Sequence, residues 1–344
     1  MKRVVIAVLC VLLLSGCGDF HTAQPELHRV ELVQVWATVS SAYYLASDGT
    51  LYSPGADSDA ASYVLYQDRE KGIVAEGVCF FEEMAGGGYY INEQKELCLW
   101  NEANLPLYGY EKKAGHAVVC TDVAFAEWGG DCMLVLKENG ELYLAGEIGG
   151  EEYTMEQPKL LGSDVTAADT DGVLAIWANA EGEIFSYGDP THLAWFDHQI
   201  LQQLRGKNVQ ELHLERHYLA ALADKNLWCC GEDGKLQLLG EAAETVSCAY
   251  RTLAALESDG AIRVWGKCIG NDATQTETAE YVTLDGENVA ENAVSVMVSD
   301  GMLSYVGDDG SSYIFHAGGC TDFYGNATND KYVGIGRAPN VWIE

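Results

Sequence analysis

The chain has 344 residues, 52 acidic against 20 basic, and a formal net charge of −32 at pH 7. A polyanion of this kind repels nucleic acid and anionic lipid headgroups, so neither is expected as a ligand. Hydrophobic residues make up 48% of the chain, enough for a substantial core, yet no apolar run approaches the ~20 residues that cross a bilayer.

The first element is an export signal. Lys2 and Arg3 form a basic start, and Val4–Leu14 is an apolar run of 11 residues. That is too short to span a membrane and has the form of a leader, assigned to residues 1–16. Leu14-Ser15-Gly16-Cys17 resembles the bacterial lipobox. Small residues before the cysteine admit the peptidase, and the thiol takes the diacylglycerol. Cys17 is therefore the expected lipidation site, and its acyl chains hold the protein on a membrane surface outside the cytoplasm. Residues 17–24 are a lipidated tether, and 25–344 a single domain.

Within that domain one phrase returns seven times, about 43 residues apart. Its first copy is Tyr44-Leu45-Ala46-Ser47-Asp48-Gly49-Thr50-Leu51-Tyr52-Ser53-Pro54-Gly55, and a late one is Ala255-Leu256-Glu257-Ser258-Asp259-Gly260-Ala261-Ile262-Arg263-Val264-Trp265-Gly266. Aligned on the turn, the copies centre on Gly49, Lys95, Gly140, Gly182, Lys225, Gly260 and Gly310. Asp-Gly or Asn-Gly between alternating apolar runs signals a β-hairpin, with a type I′ turn expected. Six residues on stand Gly55, Asn101, Gly146, Gly188, Gly231, Gly266 and His316, where Gly implies close backbone approach or a bulge. A further strand precedes each hairpin, anchored by Val33, Val78, Val123, Val165, Val209, Val246 and Val294. Three or more strands per unit of this length make one propeller blade, and seven units close a ring without exposed sheet edges. The chain ends, Pro25–Val30 and Pro339–Ile343, both read as outer-strand material that pairs to close the ring.

Two connections depart from the repeat. Asp189-Pro190, followed by Leu193, Phe196, Ile200, Leu201 and Leu204, has helical spacing, with Asp189 as N-cap and Arg205-Gly206-Lys207 as the stop. Its apolar face is expected to pack on the blade. The segment 267–290 includes the polar stretch Gly270–Thr278, a long loop on one ring face.

The chemistry-bearing residues form no recognised site pattern. His192, His198, His213 and His217 cluster in sequence, but their spacings match no metal site. Asp169-Thr170-Asp171-Gly172 and Asp308-Asp309-Gly310 begin like calcium loops without completing them, so their acids are assigned to turns. No catalytic residue, metal or cofactor is assigned, and no carboxylate pair stands out among 52 acids. Eleven cysteines leave nine beyond the leader and Cys17, an odd number; Cys120 and Cys132 are the nearest candidates for a local disulfide.

The phrase at 255–266 is similar to the repeat of the regulator of chromosome condensation family, a seven-bladed β-propeller. Pro158-Lys159-Leu160-Leu161 and Ala338-Pro339-Asn340-Val341 resemble that family's outer strands. The resemblance covers about residues 25–344 and departs from the pattern at Gln94-Lys95, at Asp224-Lys225 and after Phe315. It implies an all-β propeller that serves as a binding platform. The expected role is thus a lipid-anchored, extracytoplasmic binder of a protein or surface glycan. A carbohydrate-active hydrolase or lyase with acids at the pore mouth is the main rival, and a structural part in envelope assembly the third.

Overall fold

The computed structural model describes residues 28–29, 31–37, 42–53, 67–68, 72–84, 87–101, 115–231, 233–249, 251–268, 282–299, 302–315, 336–337 and 342–343. The leader, Cys17, the tether, the 270–278 loop, Gly55, His316, Cys320 and Ala338–Val341 lie outside these residues. The protein is an all-β, seven-bladed propeller. Six blades order their strands consecutively from the innermost outward, as in blade two: Val78–Met84, Gly87–Asn92, Leu97–Asn101 and Gly115–Cys120. Blade three divides its outer position between Glu151–Tyr153 and Lys159–Gly162, both paired with Leu142–Ile148. The latter strand falls where Pro158–Leu161 was expected.

Five of the hairpin turns also fasten the next blade. The carbonyls of Gly49, Lys95, Gly140, Lys225 and Gly260 accept the N–H groups of Val78, Val123, Val165, Ala243 and Ala293, the first innermost-strand residues of the next blade. These bonds place Ala243 and Ala293, not Val246 and Val294, at the anchor position of blades six and seven. The equivalent pairing of Leu32 with Ala46 places Leu32, not Val33, there in blade one. A bulge after the anchor, present in all seven blades, shifts the residues that follow it.

The turns differ from the type I′ expectation. Gly49 is left-handed at φ 81°, Asp48 is not, and Gly49 donates to the Ala46 carbonyl while Ala46 donates to Thr50. This is the three-residue hairpin in which a type I turn is followed by a left-handed Gly. Asp at the preceding position is explained by its side chain: Asp48, Asp259 and Asp309 accept the N–H two residues on, at 2.9, 3.0 and 2.8 Å. Only blade five has a two-residue loop, with Asp224 and Lys225 both left-handed at φ 54° and 63°. Lys95, at φ 60°, takes the glycine's place in blade two without changing the fold. At the strand end, Gly188 and Gly266 are left-handed, and a Cβ there would strike the carbonyls of Val173 and Arg251. Close approach is thus the reason for the glycine at these two positions, whereas a Cβ at Gly231 would meet nothing within 4 Å.

Blade four has three strands, Val165–Thr170, Leu174–Asn179 and Ile184–Gly188. Its outer position holds a 3₁₀ turn, Pro190–His192, and a short helix, α1, His198–Leu204. The single helix expected from Asp189 onward is divided because two caps are present. Asp189 accepts the Thr191 N–H at 2.9 Å, and Asp197 accepts the Gln199 N–H at 2.9 Å. Ile200, Leu201 and Leu204 are buried together with Leu193 and Trp195 in the core shared by blades four and five, each side chain contributing about 1.5–3 kcal/mol.

The ring closes between blades one and seven. Val306 packs with Leu32, Val35 and Tyr44, and the Ser304 hydroxyl donates to the Val35 carbonyl at 2.7 Å. The chain ends do pair, His28 with Ile343 and Arg29 with Trp342. They form a separate two-stranded ribbon, and Gly336–Arg337 supplies the outer strand of blade seven.

Candidate functional site

A propeller's innermost strands converge on its axis. Here they surround a channel of about 610 Å³, lined from all seven blades, within the size range of small-ligand sites. Because the register is equivalent in every blade, the fifth innermost-strand position forms one layer. It reads Trp36, Glu82, Glu127, Asp169, His213, Ser247 and Met297 around the ring. All but Asp169 line the channel, with Phe80, Phe125 and Glu211 two positions earlier. The anchor position, by contrast, is uniformly small or aliphatic: Leu32, Val78, Val123, Val165, Val209, Ala243 and Ala293. The repeat is uniform where it packs and varied where it faces the channel.

Three acids from consecutive blades, each in a different setting, mark one side. Asp169 is turned aside: its carboxylate accepts the Thr170 N–H at 2.6 Å and the N–H of Leu214 in blade five. Burial still raises it to about 6, against the opposing pull of His213 and those two N–H groups. Glu82 meets the Tyr89 hydroxyl, and that hydroxyl also lies 3.1 Å from the Ala126 carbonyl. One phenolic proton cannot serve both acceptors. A protonated Glu82 that donates to the phenol satisfies both contacts. Its carboxyl is pushed up to about 8, chiefly by burial, with Asp169 and Glu215 adding to the effect and Tyr89 and His213 opposing it. Glu127 is held well above the carboxylate range by burial and by Glu82, Asp169 and Glu215.

His213 stands next in the ring. Burial alone would lower it, but Glu211, 3.5 Å from Nε2, together with Asp169 and Glu215, raises it. Glu211 also accepts the Val246 N–H at 2.8 Å, and the Ser247 hydroxyl accepts the Val298 N–H at 2.8 Å. The channel's polar groups thus fasten blade to blade as well as line the axis.

The sequence candidates are dispersed. His192 Nε2 lies 2.5 Å from Asp171, His198 Nδ1 lies 3.2 Å from Ser186, and His217 sits in the turn after Glu215. Among the described residues no group of three His, Cys, Asp or Glu is arranged to hold a metal ion. Asp171 is a turn acid, accepting the Val173 and Leu174 N–H groups at 3.0 and 2.9 Å. Asp169 is not: it belongs to the channel layer. The Cys120–Cys132 disulfide is also absent. Cys132 is buried beside Thr170 at 3.5 Å, whereas Cys120 receives Lys137 Nζ at 2.7 Å. The seven cysteines whose side chains are described are all free thiols. Glu82, Glu127 and Asp169 were missed because only blade-by-blade register, offset by the bulge, brings them into one layer.

Fold and channel together define the class, a closed seven-bladed propeller with a polar axial cavity. No family model matches the chain, and no curated protein does. Among solved structures, it is similar to Prp20p of Saccharomyces cerevisiae, with a TM-score of 0.54 at 14% identity over 75% of this chain and 76% of that one. Yeast RCC1 (Prp20) bound to Kap60 aligns with a TM-score of 0.54 at 13% identity, covering 72% and 71%. The CRINKLY WD40 ectodomain of the Arabidopsis thaliana receptor kinase ACR4 gives 0.51 at 11% identity, covering 89% and 98%. At these identities the likeness is one of fold.

Proposed function

We propose that this chain is a lipid-anchored propeller, held outside the cytoplasm by Cys17, that binds a protein or a glycan of the cell envelope through its channel face. The observation that carries the reading is the contrast between uniform packing positions and a channel layer that carries six residue types in seven blades. A frame repeated for stability varies where it meets a ligand. The fold is also that of Prp20p, whose structure was described with its binding to Gsp1p and histones.

Pull-down from envelope fractions with residues 18–344 tests the reading. Recovery of a protein or glycan supports it, and turnover of a polysaccharide with no partner recovered overturns it. Cys17→Ala releases the protein from membranes, and unchanged membrane retention contradicts the anchor. One observation favours a second reading. Two carboxyl groups with raised proton affinity, Glu82 and Glu127, line one cavity, the arrangement a carbohydrate-active hydrolase or lyase needs for proton transfer. That reading requires release of new sugar ends from a polysaccharide, abolished by Glu127→Gln.

A further inference from the structure

The channel wall is divided in chemistry. Blades two, three and five contribute the titratable groups Glu82, Glu127, Glu211 and His213, with Phe80 and Phe125 beside the first two, while blades one and seven contribute Trp36 and Met297. In a ring of seven, blade one stands opposite blades four and five, and its Trp36, packed on Phe81 of blade two with ring centroids 6.3 Å apart, gives the channel an aromatic wall. No Lys or Arg lines the channel among the described residues. Among them His213 is the one basic side chain in the lining, and the crowded carboxyls beside it retain protons, which relieves their mutual repulsion.

A guanidinium or alkylammonium group would use both walls. Its charge would replace those protons against the carboxylates, and its face or methylenes would rest on the indole. The innermost strands of the adjacent blades one and seven also carry Val33 and Val294, which line the channel and are 41% and 54% exposed. Exposed apolar groups beside a charged cavity suit a ligand with a cationic head and an apolar stem.

We infer that the channel binds an organic cation, a guanidinium or alkylammonium group on an apolar stem. This rests on the binding-platform reading and names the group recognised. The cation comes from a free amine or from a basic side chain of a partner, and two probes separate these sources.

The experiment is calorimetry on the full-length chain in mild detergent at pH 7.5, with agmatine and with the peptide Gly-Gly-Arg-Gly-Gly. The expected result is saturable binding of at least one probe, with proton release read from the dependence of the heat on buffer. Agmatine alone indicates a free amine, and tighter peptide binding indicates a side chain. Glu127→Gln and Trp36→Leu each weaken binding at least ~10-fold, the loss expected for one charge-assisted contact or the aromatic wall. Glu152→Gln, an exposed acid on the outer edge of blade three, leaves binding unchanged and so controls for the overall negative charge. Absence of saturable binding for both probes overturns the inference, as does equal weakening by Glu127→Gln and Glu152→Gln. An envelope partner recovered by a chain that binds neither probe overturns it, yet leaves the binding-platform reading standing.

Discussion

Glu82→Gln is expected to stabilise the propeller at mildly alkaline pH and to do nothing near pH 5. Burial raises this carboxyl to about 8 from its usual 4.5, so between those values the folded state holds a proton that the unfolded chain has released. Stability therefore falls as pH rises through that window. The loss is absent below pH 4.5, and the ceiling for a full shift is about 5 kcal/mol. Channel water and the neighbouring Glu127 and Asp169 share the burden, so about 2 kcal/mol is expected. Gln mimics the protonated acid, since its amide donates to the Tyr89 hydroxyl as the carboxyl does. Urea melts of wild type and variant, followed by circular dichroism at pH 5, 6, 7 and 8, measure the effect. The two midpoints should coincide at pH 5 and diverge toward pH 8, with the variant higher. A variant less stable at pH 8, with the wild-type pH slope intact, refutes the assignment of a protonated Glu82.

Three further substitutions test the frame. Lys225→Gly replaces a left-handed lysine, φ 63°, with the residue that conformation favours, and should raise stability by about 1 kcal/mol in the same melts. Gly172→Ala places a methyl group against the Gly129 carbonyl at a left-handed position, φ 90°; a loss of more than about 2 kcal/mol is expected. Leu204→Ala empties a fully buried site where α1 meets blades four and five, and should cost about 2–4 kcal/mol.

The architecture was legible in the sequence because turns and strand alternation act locally. Asp-Gly and Asn-Gly mark four hairpins and Glu181-Gly182 a fifth, and Lys95 and Lys225 keep the other two because a single left-handed lysine costs little against a closed ring. Sequence alone misjudged features whose cause is a neighbour. Turn type depends on whether the loop holds two residues or three, which cross-strand pairing decides. The anchors of blades six and seven depend on inter-blade bonds to the Lys225 and Gly260 carbonyls, and that of blade one on cross-strand pairing. The 189–205 helix breaks because Asp197 caps a second start, although its burial face was correctly placed. Asp169 lies in Asp-x-Asp-Gly and looks like a turn acid. Only the Leu214 N–H from the next blade shows it to be part of the channel layer. Cys120 and Cys132 are near in sequence, but one faces Lys137 and the other is buried beside Thr170.

The central claim is that recognition occurs at the channel and not on the outer rim. A photo-crosslinking phenylalanine analogue placed at Phe80, which lines the channel, and at Leu238, 44% exposed on the outer strand of blade five, tests it most directly in intact envelopes. The account predicts a covalent adduct from position 80 and none from position 238. An adduct from 238 with none from 80 contradicts it.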